Sequence, residues 1–329
     1  MTEYKPPFNM TDEITYMVAE ISEQVGRINV LSEGAISPHL RRENRIRTIH
    51  SSLAIENNTL TLEQVTAIID GKRVLGNPNE IKEVQNAYAA YELMLQLDPE
   101  SIDDLLKAHG LMMKDLVKQC GRFRTEPVGV YAGEVLVHMA PPAKFVAPEI
   151  KNLFDWYKSS PMHPLVKSAV FHYEFEFIHP FMDGNGRMGR MWHGLFLGQW
   201  KDVFFWLPIE ELIQFRQQEY YDALGVADNT VDCTPFVTLM LEIIRDSLEE
   251  VEVVGQNDPV SDPVSDPVKK LLITLGNEEL AISELMRRMG LSHKPTFRKN
   301  YLNPALEAGL IERTIPDKPN SRNQKYRRT

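Results

Sequence analysis

The sequence predicts a mainly helical protein that carries a β-hairpin among its helices and ends in a small α+β domain. Three observations lead to this fold class. Apolar residues recur every three or four positions through most of about the first 250 residues, which is the period of an amphipathic helix. A valine-rich run near residue 130 interrupts this pattern. A proline repeat near residue 260 separates a basic C-terminal segment from the rest.

The composition is ordinary for a soluble globular protein, with 43% hydrophobic and 25% charged residues. A chain of 329 residues suits one large or two smaller domains. No apolar stretch approaches the roughly 20 residues of a membrane helix, and the N-terminus lacks the apolar core of a signal peptide. Two cysteines give no disulfide framework. We therefore expect a cytoplasmic protein with no membrane partner.

Helices are predicted in order along the N-terminal part. Helical spacing runs from Ile14 to Val25 and again from Ile46 to Ile55. Thr61 and Gln64 have the spacing of a capping box that opens a third helix, and Gly71 closes that helix. Further helices are expected at about 80–96, 101–118 and 147–158.

A β-hairpin is predicted at about 128–139. The turn at 131–134 has valines on both sides, and two prolines follow the run. Its neighbours are helical, so the hairpin has exposed edges, which favour aggregation unless they have a use. From these residues alone, a simple surface hairpin is as reasonable as a functional one.

The domain boundary is expected at 251–268. The tripeptide Asp-Pro-Val occurs there three times, and prolines at a spacing of four do not fit a regular helix. A semi-extended linker would therefore separate a domain of residues 1–250 from a domain of residues 269–329.

The C-terminal segment is basic although the whole chain has a net charge of −10. Residues 266–329 contain 13 Lys and Arg against 7 Asp and Glu, a net charge of +6. Helical patterns near 269–275, 282–289 and 297–306, followed by two short strands, resemble a winged helix. The residues on or beside its recognition helix would be His293, Lys294, Thr296, Arg298 and Lys299. Such domains bind DNA or other proteins, so both kinds of partner stay open.

The segment from His179 to Arg190 carries the chemistry, and helical patterns lie on both sides of it. Gly184 and Gly186 let a ligand approach the backbone closely. Free N–H groups at the start of the second helix form an anion site, which suits phosphate. Arg187 and Arg190 lie three apart on nearly the same face of that helix, so their guanidinium groups could hold two successive phosphates.

Two side chains add a metal ligand and a base to this anion site. Asp183 offers one carboxylate, which suits Mg²⁺ because this ion takes one or two protein carboxylates and completes its shell with phosphate oxygens and water. His179 precedes the loop, and histidine is the usual general base near neutral pH. Together these groups imply attack on a nucleotide phosphorus.

Two other interpretations of the same residues have less support. Gly184, Gly186 and Gly189 have the spacing of a dinucleotide fingerprint, but that fingerprint follows a strand and here the flanks are helical. His172, Glu174 and His179 lack the i, i+4 pairing of helical zinc ligands. His172 is better explained as a packing residue.

The segment from His179 to Arg190 matches the signature of the Fic (filamentation induced by cAMP) family without departure. The resemblance implies a helical bundle and a nucleotidyltransferase that moves AMP from Mg-ATP to a Ser, Thr or Tyr hydroxyl of a target protein. It also implies the role of each residue, listed here: His179 as the base, Asp183 as the Mg²⁺ ligand, Asn185 and the N–H of Gly186 as the cradle of the transferred phosphate, Arg187 as the partner of the β-phosphate, and Arg190 as the partner of the γ-phosphate.

The same resemblance implies that the hairpin is a flap, which pairs with an extended segment of the target. The flap residues expected to dock the target are Val130, Tyr131, Val135 and Val137. Tyr220 and Tyr221 lie in a stretch that also resembles the family, and a tyrosine there would contact adenine. Both tyrosines are equally suited to a hydrophobic core.

A built-in inhibitor is implied by Ser52 and Glu56, because residues 52–57 resemble the inhibitory motif of the family on a helix at about 40–57. Glu56 would compete with the γ-phosphate for Arg190, and Ser52 would brace that contact.

The alternatives to this AMP-transferring enzyme are a nucleotide-sensing DNA-binding regulator, an enzyme that uses another nucleotide donor, and an enzyme that removes AMP. A homodimer is a further candidate assembly.

Overall fold

The computed structural model describes residues 4–31, 38–132, 135–256, 266–276, 278–289, 291, 294–315, 321 and 324–328. The chain divides into two compact units, residues 1–257 and 258–329. The first unit is mostly helical, as predicted. Its helices are α1 (Asp12–Leu31), α2 (Pro38–Ile55), α3 (Leu62–Ile69), α4 (Pro78–Met94), α5 (Ile102–Met112), α6 (Ala143–Ser159), α7 (Pro164–Ile178), α8 (Asn185–Trp200), α9 (Ile209–Phe215), α10 (Gln217–Thr230) and α11 (Thr234–Gln256), with a 3-10 turn at Asp202–Phe205.

Local signals account for two of these helix ends. The side chain of Thr61 accepts from the N–H of Gln64 at 3.2 Å, and the Gln64 side chain accepts from the N–H of Thr61 at 2.9 Å, which is the predicted capping box. The prediction for α5 was wrong at its C-terminal end, because the helix stops at Met112 and not near residue 118. Asp115 has a φ of 62°, which a right-handed helix does not allow.

Helix α7 lies at the centre of the first unit. Its side chains are buried on all sides, and they contribute to two apolar clusters. Phe171 and Phe175 belong to the cluster that also contains residues of α4, α5, α6 and α8, whereas Val166 and Val170 belong to the cluster that contains residues of α1 and α11. Helix α8 packs directly against α7. A helix that is apolar all round must be enclosed by other elements. Helix α7 and the helix α8 that packs against it therefore hold the two ends of the loop that joins them.

The predicted hairpin is formed by β1 (Gly129–Ala132) and β2 (Val135–Met139), which pair antiparallel with a bulge between Val130 and Tyr131. No third strand pairs with them among the described residues. The side chains of residues 130–137 lie outside the described part of the structure.

The predicted linker at 251–268 overlaps two helices. Helix α11 continues to Gln256, since no proline occurs in that helix beyond its first turn. Helix α12 (Asp266–Leu275) begins inside the last Asp-Pro-Val repeat, because proline is tolerated in the first turn of a helix. Residues 257–265, which hold the rest of the repeat, lie outside the described residues.

The second unit has the predicted order of helices followed by a hairpin. After α12 come α13 (Ile282–Arg288), α14 (Lys294–Phe297), a π-helical turn at Arg298–Leu302, α15 (Asn303–Glu307), β3 (Ile311–Arg313) and β4 (Tyr326–Arg328). The strands pair antiparallel, and Leu280 forms a bridge to Tyr326. The π turn precedes Pro304, which has no N–H to donate to a regular helix. His293 lies outside the described residues.

No helix in the described ranges is both long and apolar enough to cross a membrane.

Candidate active site

The loop between α7 and α8 makes a sharp turn at two residues with positive φ. His179 caps α7 with a φ of 49°, and Gly184 precedes α8 with a φ of 82°. A Cβ on residue 184 would also lie 2.6 Å from the sulfur of Met113, so only glycine fits this turn. The turn brings His179 to the N-terminal end of α8, and the sequence had predicted this arrangement.

Phe181 anchors the loop in the core. Its ring is fully buried and stacks on the ring of His109, with 3.6 Å between the ring centroids. The Nδ1 atom of His109 accepts from the N–H of Gly121 at 2.9 Å, so Nε2 carries the proton and donates to the carbonyl of Asp183 at 3.1 Å. Burial lowers the pKa of His109 to about 4, which keeps this bracing residue neutral. This role of His109 was not predicted from the sequence.

His179 is arranged as a proton acceptor. Its Nδ1 lies 3.2 Å from the carbonyl oxygen of Glu176, which can only accept, so Nδ1 carries the proton and Nε2 keeps a lone pair. Burial, together with the positive charges of His138 and Arg124, lowers the pKa of His179 to about 4 against the opposing effect of the Glu176 carbonyl. The imidazole is therefore neutral at neutral pH, with a lone pair on Nε2 that can accept a proton.

Arg124 ties this loop to the base of the hairpin. Its guanidinium group donates to the carbonyl of His179 at 2.7 Å and to that of Ile178 at 3.3 Å, which are the last carbonyls of α7. It also donates to Glu126 and Pro141, which lie on the two sides of the hairpin. The side chain is buried and meets four carbonyl groups, and the negative end of α7 stabilises its charge. Sequence reasoning missed Arg124.

The start of α8 presents unpaired backbone donors. The N–H of Met188 makes the first hydrogen bond of the helix, to the Gly184 carbonyl at 3.0 Å, so the preceding N–H groups have no partner within the helix.

The structure gives the Asn185 side chain a different role from the predicted phosphate contact. Its amide donates to the Phe181 carbonyl at 3.0 Å and accepts from the Phe181 N–H at 2.8 Å, so it closes the loop.

Arg187 is held by two carboxylates at the edge of this anion site. It donates to Glu83 and to Asp183, each at 3.2 Å, and is almost completely buried. Asp183 is 55% exposed, and its Oδ1 also accepts from the N–H of Gly184 at 2.6 Å. An exposed carboxylate beside a free helix start fits Mg²⁺ that is shared with phosphate oxygens. Glu83, on α4, was not predicted from the sequence.

Arg190 is buried and paired with the predicted inhibitory residues. Its Nη2 donates to Oε1 of Glu56 at 2.7 Å and to the carbonyl of Ser52 at 3.0 Å, and its Nε donates to the Ser52 hydroxyl at 3.1 Å. Burial alone would raise the pKa of Glu56, but the charge and hydrogen bond of Arg190 and the charge of Arg187 outweigh it and hold the pKa below its usual value. A Cβ on residue 186 would collide with this carboxylate, so Glu56 lies directly over the start of α8.

The two tyrosines occupy different environments. Tyr220 is buried, and its hydroxyl lies 3.2 Å from Nε2 of His172, so the structure places it in the core and contradicts an adenine contact for this residue. Tyr221 is 45% exposed, and its hydroxyl lies 3.5 Å from the carbonyl of Ile55 at the end of α2. His172 is fully buried against Phe236, which agrees with its interpretation as a packing residue.

No group of three or more histidine, cysteine or acidic side chains in the described part of the chain is arranged to hold a metal ion by itself. A magnesium site at Asp183 would therefore depend on oxygen ligands from a bound nucleotide and water.

Comparison with known proteins gives two matches to family models. The model described as Fic/DOC family matches residues 99–197, which include the whole loop, all of α7 and most of α8. The model described as "Filamentation induced by cAMP protein Fic-like, C-terminal domain" matches residues 266–329.

Solved structures and curated proteins agree with these matches. A Fic family protein from Desulfovibrio desulfuricans G20 is 54% identical, and the match covers 99% of this chain and 98% of that one, with a TM-score of 0.75. Part of Fic-1 from Caenorhabditis elegans is 26% identical over 74% of each chain, with a TM-score of 0.61. The protein adenylyltransferase fic-1 of the same organism is 30% identical over 245 residues, 71% of this chain and 46% of that protein. The chain spans about half the length of the curated relatives it matches.

Proposed function

The chain belongs to the Fic family, and from that premise we propose that it transfers AMP from ATP to a hydroxyl group of a target protein. One observation carries the proposal. A neutral histidine with a free Nε2 stands at a helix start that has unpaired N–H groups and two arginines. These are the groups that a nucleotidyl transfer requires.

In the proposed reaction, the target hydroxyl oxygen attacks the α-phosphorus of ATP. A bond forms between these two atoms, the bond from phosphorus to the bridging α,β oxygen breaks, and pyrophosphate leaves. Nε2 of His179 takes the hydroxyl proton, a contribution of about 10²–10⁴ in rate for general-base catalysis. The N–H groups at the start of α8, including that of Gly186, bind the α-phosphate oxygens, which gain charge in the transition state.

The arginines would bind the leaving group, Arg187 at the β-phosphate and Arg190 at the γ-phosphate. Asp183, with its exposed carboxylate, would hold Mg²⁺, which neutralises phosphate charge when it is bound. Arg187 already contacts Asp183, so the β-phosphate and the metal ligand would share one corner of the site. Tyr221 is the remaining candidate for an adenine contact because it is exposed.

We propose that Glu56 inhibits this reaction in the form described here. Its carboxylate is hydrogen-bonded to Arg190 and lies over Gly186, where an anion bound at the helix start would lie. Two anions cannot share this position, because they repel each other and compete for the same donors. A correctly bound triphosphate therefore requires Glu56 to move away, and Ser52 would keep Arg190 in place during that change.

The proposal is tested by incubating the protein with Mg²⁺, α-labelled ATP and a cell lysate, followed by intact-mass analysis for added AMP. We expect labelled protein with Glu56→Gly and none when His179→Ala is combined with it. Transfer that persists in the double variant would refute the role of His179. If protein is labelled from another nucleotide but not from ATP, ATP is refuted as the donor.

A DNA-binding regulator is the other candidate, and the described part of the second unit does not favour it. Three of the six arginines whose side chains are described in this unit form ion pairs within it. Arg288 pairs with Glu278 and Glu284, and Arg327 pairs with Glu279 and Glu312. Each pair reduces the positive charge that a phosphate backbone would meet. We therefore propose a protein partner for this unit.

A further inference from the structure

His138, on strand β2 of the hairpin, has a hydrogen-bond acceptor at each ring nitrogen. Its Nδ1 lies 2.8 Å from Oδ2 of Asp228 on α10, and its Nε2 lies 2.8 Å from the carbonyl oxygen of Phe177 on α7. A neutral imidazole has one N–H and can satisfy only one of these acceptors, whereas the imidazolium ion donates to both. The geometry is therefore that of a protonated histidine.

The surroundings of His138 favour its positive charge. Its side chain is 12% exposed, so burial by itself lowers its pKa, but the hydrogen bond and charge of Asp228, the Phe177 carbonyl and the charge of Glu176 outweigh burial and raise the pKa above its ordinary value. Tyr173, on α7, donates its hydroxyl to Asp228 at 2.9 Å and fixes that carboxylate. His179 also faces His138.

The position of the hairpin depends on such attachments. A two-stranded hairpin is marginally stable by itself, and no further strand pairs with β1 or β2 among the described residues. Arg124 fixes the base of the hairpin through Pro141, whereas His138 fixes β2 itself. Because Phe177 is two residues before His179, the last turn of α7 carries both this attachment and the catalytic base.

We propose that His138, as an imidazolium ion, is a positioning residue that holds the hairpin against α7 and α10 and thereby orients it for the target segment. This inference rests on the proposed function of the hairpin as a docking flap. When pH rises through the pKa of His138, the ring loses one proton and one of its two donors. The attachment is therefore complete at lower pH and weakens as pH rises.

Amide hydrogen exchange in residues 135–139 tests the attachment without any assay of activity. We expect protection in the wild-type protein to fall at least about tenfold between about pH 6 and about pH 8.5, after correction for the intrinsic exchange rate, because one charge-assisted hydrogen bond is lost. His138→Gln and Asp228→Asn should show the lower protection at both pH values. Asp222→Asn is the matched control, since Asp222 is an exposed aspartate on the same helix.

Equal protection in the wild-type protein and His138→Gln would overturn the proposal. So would a fall in protection with pH that persists unchanged in His138→Gln. A histidine that acts only as packing would give no pH dependence, so the pH profile separates positioning from a purely structural role.

The second arm measures transfer from α-labelled ATP to lysate proteins in the Glu56→Gly background. We expect His138→Gln to reduce the transfer rate several-fold at about pH 6 and to leave the dissociation constant of ATP unchanged. If His138→Gln lowered the protection of the hairpin but left the transfer rate unchanged, the proposed orienting role of His138 would be overturned. Absence of transfer in every protein, wild type included, would refute the proposed function, and the exchange measurement would still decide whether His138 anchors the hairpin.

Discussion

Replacement of Glu56 by glycine should activate AMP transfer by a factor that the structure allows us to calculate. Arg190 donates one charged hydrogen bond to Glu56, and its two bonds to Ser52 do not depend on that carboxylate. A charge-assisted hydrogen bond contributes about 1.5–3 kcal/mol, which corresponds to about 10- to 150-fold at about 1.4 kcal/mol for each factor of ten. If ATP must displace this bond in order to bind productively, its removal should raise the transfer rate by that factor.

The same substitution should lower stability when nucleotide is absent. Arg190 is almost completely buried and loses its one contacting carboxylate among the described side chains, so the free energy of unfolding should fall by about 1.5–3 kcal/mol. Saturating Mg-ATP should stabilise Glu56→Gly more than the wild-type protein, because the γ-phosphate then pairs with Arg190. Urea unfolding with and without nucleotide measures both effects.

Two further variants make this test specific. Glu56→Gln keeps the shape of the side chain and removes its charge, so its activity should lie between those of the wild-type protein and Glu56→Gly. Glu63→Gln is the control, because Glu63 is an exposed glutamate on the neighbouring helix α3. A folded Glu56→Gly protein that transfers AMP at the wild-type rate and gains no extra stability from ATP would refute the reasoning.

Three other predictions concern the loop. On the acid side, the transfer rate of Glu56→Gly should not change between about pH 6 and about pH 5 and should fall as pH approaches the His179 pKa of about 4, because the neutral ring is the base. A loss of rate towards acid pH with an inflection near pH 6.5 would contradict this. Arg124→Met should lower the free energy of unfolding by about 2–4 kcal/mol, since four carbonyls lose a charged donor, and Arg124→Lys should recover only part of that in urea unfolding. Asn185→Ala should lower the melting temperature and the transfer rate together, because the two hydrogen bonds that close the loop are lost. A lower affinity for ATP with an unchanged melting temperature would instead support a direct phosphate contact.

Much of the candidate site could be predicted from the sequence because its residues are neighbours along the chain. Within one turn and one helix, the spacing of residues fixes their relative positions, so His179, Asp183, Arg187 and the start of α8 lie where the pattern placed them. The capping box of α3 is predictable for the same reason. Asn185 shows the limit of this reasoning, since an amide beside a phosphate site can bind the ligand or brace the loop, and only its contacts distinguish these roles.

The remaining parts of the site come from residues far apart in the sequence. Arg124, Glu83 and His109 have ordinary sequence contexts, and their roles depend on the packing of α4, α5 and the hairpin base around α7 and α8. Burial also decided between core and surface for Tyr220 and Tyr221, which adjoin in the sequence but differ in exposure. The spacing of residues along a helix shows on which face of that helix a side chain lies. It does not show which side chains of other helices pack against that face.

By itself, the sequence determined the helical class, the loop chemistry and the family that this loop resembles, since these depend on local backbone preferences and on adjacent residues. The resemblance also predicted that Glu56 acts on Arg190, 134 positions away, and the tertiary structure supplies the hydrogen bond between them. Only the tertiary structure decided that His138 has acceptors on two helices. Such contacts depend on how separate helices pack. Packing is set by the shape and burial of the whole core, and no short segment of the chain contains that information.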